Sequence, residues 1–164
     1  AAIKSALKEI SGDIVIIQDA DLEYNPENYN KLIKPILDDE YKVVYGSRVL
    51  GKPRFQNENF ISSFRVVANL ILTIISNFLN SQNLTDAHTC YKVISKDILD
   101  RIELKENDFS FCPEITTKLS KLKVKIKEIP IDYNGRTYKE GKKISLKDGF
   151  LAIKTLFKYK FFSN

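Results

Sequence analysis

Three carboxylates stand at alternate positions after an apolar run: Asp19, Asp21 and Glu23 follow Ile14-Val15-Ile16-Ile17-Gln18. Hard oxygen donors on one short turn suit Mg²⁺ or Mn²⁺, which bind through one or two carboxylates and share a ligand's phosphates. The chemistry this suggests is a metal–diphosphate site. Two other readings of the same residues remain open. One is an aspartate that only caps a turn. The other is a phosphoaspartyl hydrolase, whose first Asp of an Asp-x-Asp pair is the nucleophile. A calcium loop of the EF-hand type needs Gly at its sixth position and Glu at its twelfth. Tyr24 and Asn30 stand there instead and exclude it.

The acids are useful only if something aims them. Ile14 to Ile17 read as a strand buried on both faces, as in a parallel sheet. Ligands of open α/β sheets sit at the carboxyl ends of such strands. Asn25 and Pro26 then open a helix running to about Asp38, with Pro35 inside it. Tyr41 to Gly46 form the next strand, ending in Ser47-Arg48. A right-handed crossover brings Arg48 to the same sheet edge as Asp19 if the two strands are parallel. Residues 49–61 read as a loop. A long amphipathic helix follows over 62–80, with Val67, Leu70, Ile71, Ile74, Ile75 and Phe78 on one face and Arg65 and Asn69 one turn apart on another. Thr85 to Lys92 read as a short polar strand or turn, and Ser95 caps a small helix. Another helix begins near Pro113. Val124 to Tyr133 form a strand, 134–143 a polar basic loop, and Ser145 with Asp148 a capping box for a closing helix over 145–162. Before all of this, Ile3, Leu7 and Ile10 form a helical stripe with no strand ahead of it, so the chain reads as starting partway through a domain.

Length and charge narrow the partners. At 164 residues the chain is one domain by size. Residues 1–50 carry 6 Lys/Arg against 9 Asp/Glu, a balance of −3, while 117–164 carry 13 against 4, a balance of +9. An acidic front beside a basic end suits a cation site facing anionic ligands or an anionic membrane surface. Nucleic acid is disfavoured, because no zinc spacing, helix-turn-helix pattern or ribonucleoprotein-type aromatic motif occurs. Cys90 and Cys112 lack metal-ligand spacing and read as free thiols, and a single His88 excludes a multi-histidine metal site. No apolar run reaches the ~18–20 residues that span a bilayer.

Five segments together resemble one family. They are Gly12 through Pro26; Tyr45-Gly46-Ser47-Arg48; Leu84-Thr85-Asp86 with Thr89-Cys90-Tyr91-Lys92; Phe111-Cys112-Pro113-Glu114-Ile115; and Gly135 through Ile144. This ordered set resembles family 2 glycosyltransferases of the GT-A fold, in the dolichyl-phosphate mannose synthase-like branch. The resemblance implies an α/β, Rossmann-like, mostly parallel sheet flanked by helices, in a single catalytic domain over 1–164. It further implies that the front strand–helix–strand holding the nucleotide base is missing, leaving the C-terminal two-thirds.

Carried over by position, Asp19 and Asp21 would hold Mg²⁺ or Mn²⁺ and the diphosphate of a nucleotide sugar, with Glu23 at a third metal contact. Arg48, Arg65 and Asn69 would bind the acceptor's phosphate, and Arg136, Lys142 and Lys143 would lie on a loop closing over the phosphates. Asp86 and Glu114 are acids of the family pattern near the site, with helix-start capping the plain alternative for Glu114. The function implied is inverting transfer of a hexose to a polyprenyl phosphate, peripheral to the cytoplasmic face of a membrane. An acceptor that is already an anion needs no catalytic base. A family 2 transferase with a glycan, protein or small-molecule acceptor is the alternative enzyme. A non-catalytic domain binding anions or membrane is the alternative from another class.

Overall fold

The computed structural model describes residues 2–20, 23–51, 60–135 and 146–162, and for 60–65 and 146 the backbone alone. Helix α1 (Ala2–Ala6) leads to strand β1 (Ile14–Ile17), and a 3₁₀ turn (Pro26–Asn28) leads to α2 (Tyr29–Leu37). Strand β2 (Val43–Ser47), α3 (Phe60–Asn80), β3 (Lys92–Ser95), α4 (Lys96–Leu99) and α5 (Phe111–Lys121) follow. The chain closes with β4 (Ile126–Pro130), α6 (Leu146–Phe157) and a π-helical turn (Lys158–Phe162).

The strands form one sheet in the order β1-β3-β2-β4. β3 pairs antiparallel with both β1 and β2, while β2 and β4 pair parallel. Three strands therefore point one way and β3 runs against them. The ends of β1, β2 and β4 share one edge of the sheet with the segment entering β3. Asp19 and Arg48 lie at that same edge as expected, although their strands are not neighbours. The strand between them, β3, begins at Lys92, where the segment Thr85 to Lys92 read as a short polar strand or turn ends. Only Val93 and Ile94 are apolar in it, and both flanking residues are polar. Lys92 is nevertheless fully buried, its ammonium bonded to the Thr89 carbonyl and 4.5 Å from the centre of the Tyr45 ring.

Side chains alternate across the pleat, as strand geometry requires. Ile17, Val43, Tyr45 and Ile94 join Ile115 and Leu119 of α5 in one core; Val44 and Val93 join Leu32 and Ile36 of α2 in the other. Ile3, Leu7 and Ile10 pack on the first core, so the stripe in the opening helix is put to use. Ile14, Val15 and Ile16 are half-buried, against the expectation of burial on both faces, because β1 has a single paired neighbour among the described residues. The Asn25 cap forms as read, its Oδ1 accepting the Glu27 amide at 3.0 Å. Ser145 lies outside the described residues, and the closing helix is seen from Leu146.

Gly46 is confined by packing. A Cβ there would lie 2.8 Å from Ile131 Cγ2 and 3.0 Å from Tyr91 Cβ. We expect Gly46→Ala to lower stability by about 1–3 kcal/mol through overpacking, measured by urea unfolding; an unchanged midpoint would show that the sheet yields at no cost.

His88 supplies a pH test. Burial, with the Lys92 charge adding to it, pushes its pKa down to about 4. The unfolded chain therefore takes up a proton near pH 6.5 that the folded chain refuses until about pH 4. The stability from keeping His88 neutral is complete above pH 6.5 and is lost as pH falls toward 4. The slope contributed is at most ~1.4 kcal/mol per pH unit. His88→Gln should flatten the stability curve between pH 6.5 and 5, followed by denaturant titration at each pH, and equal slopes in both proteins would refute the assignment.

Candidate active site

The sheet edge gathers an ion pair between a buried carboxylate and a half-buried arginine. Asp86 is fully buried. Its Oδ2 accepts Arg48 Nε at 2.6 Å and the Arg48 amide at 3.1 Å, and its Oδ1 accepts Arg48 Nη2 at 2.7 Å. Asn69 Nδ2, from α3, donates to the same Oδ1 at 3.2 Å. Burial alone would raise the Asp86 pKa; the guanidinium charge and these hydrogen bonds overcome it and hold the carboxyl well below the usual carboxylate range. Arg48 is raised by the same partner against its own burial.

The turn carrying Asp86 is pinned from β4. Glu128 Oε2 accepts the Thr85 amide at 2.6 Å and the Thr85 hydroxyl at 3.0 Å, and Oε1 accepts the Asp86 amide at 2.9 Å. Thr85 Oγ1 also lies 2.7 Å from Ser47 Oγ, next to Arg48 in β2. Nothing in the sequence marked Glu128. It lies in an alternating Lys/Ile strand, and its partners are more than forty residues away.

The acidic turn divides. Asp19 is exposed at the end of β1, and the Cys90 thiol is raised in pKa mainly by burial, with the nearby Asp19 carboxylate adding to the rise. Gln18, just before it, accepts the Tyr29 hydroxyl and, at 3.3 Å, the Tyr91 hydroxyl, which fixes the strand end. Asp21 lies outside the described residues. Glu23 is buried, and its Oε2 accepts the Tyr133 hydroxyl at 2.8 Å. The expected third metal contact therefore sits inside a protein hydrogen bond. Among the described residues no three His, Cys, Asp or Glu side chains gather into a metal site. The donor chemistry that remains, an open Asp19 carboxylate two residues before a second aspartate, suits a hard divalent cation.

The other expected residues fall as follows. Arg48 and Asn69 come together on Asp86. Arg65 lies one turn earlier on α3, with its side chain outside the described residues, and Arg136, Lys142 and Lys143 lie outside them altogether. Glu114 is fully buried. It accepts the Lys105 and Glu106 amides at 2.7 and 2.9 Å and pairs with Lys118 at 2.6 Å, so it fastens the loop before α5. Cys90 and Cys112 are free thiols.

Comparison with known proteins agrees with this geometry. Residues 1–103 match the family described as Glycosyl transferase family 2. A UDP-N-acetylglucosamine–dolichyl-phosphate N-acetylglucosaminyltransferase of Methanococcus voltae is 30% identical over 125 residues, 75% of this chain and 49% of its own length. A dolichol-phosphate mannosyltransferase of Pyrococcus furiosus is 26% identical over 159 residues, 97% of this chain and 42% of its own length. The glucosyl-3-phosphoglycerate synthase of Mycobacterium tuberculosis, solved with Mn²⁺ and uridine-diphosphate-glucose, superposes with a TM-score of 0.61 at 18% identity, over 96% of this chain and 52% of that one. At that identity the likeness is one of fold. The chain spans about half the length of these relatives. Since the family match covers residues 1–103, more than half of the chain, the chain belongs to glycosyltransferase family 2 and carries part of a GT-A fold.

Proposed function

We propose that the protein containing this chain is an inverting, metal-dependent glycosyltransferase that moves a hexose from a nucleotide-diphosphate sugar to a polyprenyl phosphate at a membrane surface. The observation that carries this reading is the convergence, at one sheet edge, of an open carboxylate at Asp19 and an oriented arginine at Arg48. Asp19, with Asp21, would hold a Mg²⁺ or Mn²⁺ ion, which supplies positive charge for the leaving diphosphate. Asp86 occupies one side of the Arg48 fork and fixes its plane, so an arriving phosphate meets a guanidinium already aimed. Asn69 ties that pair to α3, where Arg65 would add a second positive charge to the acceptor subsite. Arg136, Lys142 and Lys143 would close over the phosphates. No protein base is needed, since the acceptor oxygen is already anionic, and His88 stays neutral and half-buried. Direct displacement by that oxygen inverts the anomeric centre.

The lipid part of the reading rests on surface chemistry and on the two relatives named for dolichyl phosphate and dolichol phosphate. Val67, Ile71, Ile74 and Phe78 repeat at helical spacing on α3 and are exposed, Phe78 at 85%. Phe150, Phe157, Phe161 and Phe162 are exposed on the closing segment, beside exposed Lys147 and Lys154. Apolar side chains flanked by lysines suit an anionic membrane surface, with the apolar face in the acyl boundary and the ammonium groups at the headgroups. No helix among the described residues is long and apolar enough to cross a bilayer. An acceptor that is a small phosphorylated molecule would use the same arginine but gives these faces no role.

Two measurements test the reading. In the intact protein, Asp19→Asn should abolish Mg²⁺- or Mn²⁺-dependent transfer from a nucleotide sugar while leaving circular dichroism and melting unchanged, because the carboxylate is exposed and holds up no core; retained turnover would refute the metal role. Ile71→Ser combined with Phe78→Ser should reduce co-flotation with phosphatidylglycerol vesicles while leaving transfer to a short, water-soluble prenyl phosphate unchanged. Undiminished flotation would remove α3 from the membrane contact.

A further inference from the structure

Tyr133 stands where three parts of the site meet. Its hydroxyl donates to Glu23 Oε2 at 2.8 Å. Its backbone bridges Tyr24, and the next amide, Asn134, donates to the Glu23 carbonyl at 3.0 Å. The Arg48 guanidinium carbon lies 5.2 Å from its ring centre, within cation–π range. The Tyr24 ring meets it edge-on at 5.2 Å, and the Tyr24 hydroxyl in turn accepts the Cys90 amide at 3.0 Å. Gly135 lies close over the same ring: a Cβ there would fall 2.8 Å from Tyr133 Cε1. Gly135 thus packs against a side chain anchored to Glu23 and to the arginine pair.

These contacts give Glu23 a role different from that of a ligand. One carboxylate oxygen is spent on Tyr133, the residue is buried, and the bond joins Glu23 to the segment following β4. The ring of the same tyrosine supports Arg48. Two anion subsites, one at Asp19 and one at Arg48, are therefore braced by a single side chain, whose hydroxyl bonds Glu23 and lies beside the Arg48 charge while its ring lies under the guanidinium. A rotation of Tyr133 cannot move one without disturbing the other.

We propose that Tyr133 is a positioning residue that couples the two anion subsites. Its hydroxyl holds the acidic turn through Glu23 and its ring holds Arg48, so that Glu23 serves as a tether rather than a metal ligand. The acceptor arm of this inference rests on the proposed function, whereas the tether stands on the geometry alone.

The test uses equilibrium binding in the intact protein, with Mn²⁺ plus uridine diphosphate as one probe and a short prenyl phosphate as the other, and melting temperature as the folding control. Tyr133→Phe keeps the ring and removes the hydroxyl. It should weaken Mn²⁺–uridine diphosphate binding by about three- to tenfold, the range expected for one lost hydrogen bond, and weaken prenyl phosphate binding by a smaller factor. Tyr133→Leu should weaken both. Glu23→Gln retains an oxygen that accepts from the hydroxyl and should bind like the parent, while Glu23→Ala should match Tyr133→Phe, with no further loss when the two are combined. Parental Mn²⁺–uridine diphosphate binding by Tyr133→Phe beside a loss in Glu23→Gln would overturn the proposal and make Glu23 a ligand. Equal losses for both probes in Tyr133→Phe, in step with a lower melting temperature, would also overturn it by reducing Tyr133 to general support. If the parent fails to bind prenyl phosphate while the Mn²⁺–uridine diphosphate series behaves as expected, the acceptor reading falls and the tether stands.

Discussion

The pair between half-buried Arg48 and buried Asp86 is the interaction on which the site depends. A carboxylate with no solvent contact is tolerable only if its charge is matched and its lone pairs are filled, because the desolvation cost of an isolated ion is several kcal/mol. Here two guanidinium bonds, a backbone amide and the Asn69 amide meet that requirement. Removing one partner of such a pair typically costs about 3–5 kcal/mol, since the other charge is stranded. The pair is therefore a constraint on the fold as well as a feature of the site. It forces the end of β2, the turn before β3 and the first half of α3 into one register.

Around that pair the polar groups form a connected structure. Glu128 collects the amides of the 85–86 turn, Ser47 and Thr85 share a hydroxyl contact, and Thr89 donates its hydroxyl to the Gly46 carbonyl at 2.5 Å. Every one of these joins β2 or β4 to the segment leading into β3. The antiparallel insertion of β3 makes this possible. A strand running against its neighbours delivers its preceding loop, rather than its following one, to the edge where β1, β2 and β4 end. Asp86 to Tyr91 thus arrive between Asp19 and Arg48 without a long connection.

The charge asymmetry of the chain has a physical outcome in this arrangement. Acids of the first third face the sheet edge at Asp19 and Glu23, while lysines of the last third remain mostly on exposed helix and strand faces near apolar side chains. Lys118 is an exception, paired with buried Glu114 and placed 4.5 Å from the centre of the Tyr159 ring. That contact, with Glu106 accepting Lys158 Nζ and the Tyr159 hydroxyl at 2.7 and 2.8 Å, fastens the closing π-helical turn to α5 and leaves Phe161 and Phe162 outward.

Much of this was legible in the residues themselves. Local signals carry their own cause: Asn25-Pro26 specifies a capped helical start, the Ile14–Ile17 run specifies a strand, and the spacing of Val67, Ile71, Ile74 and Phe78 specifies a helix face whatever lies around it. The alternation of Asp19, Asp21 and Glu23 after that strand was enough to name a kind of chemistry, and the ordered motifs were enough to suggest a family. Tertiary structure decided the rest. From sequence, β3 reads too early in the chain, over Thr85 to Lys92, because burial of Lys92 and Ser95 follows from their neighbours, and two apolar residues make no periodic pattern. Arg48 reads from sequence as an open cation, yet it is bound to Asp86, because pairing depends on which loops the sheet order brings together. Glu23, Glu128 and Tyr133 gained their roles in the same way. Composition and periodicity act over a few residues, whereas hydrogen bonds between positions 23 and 133, or 86 and 128, exist only once the sheet has closed the distance.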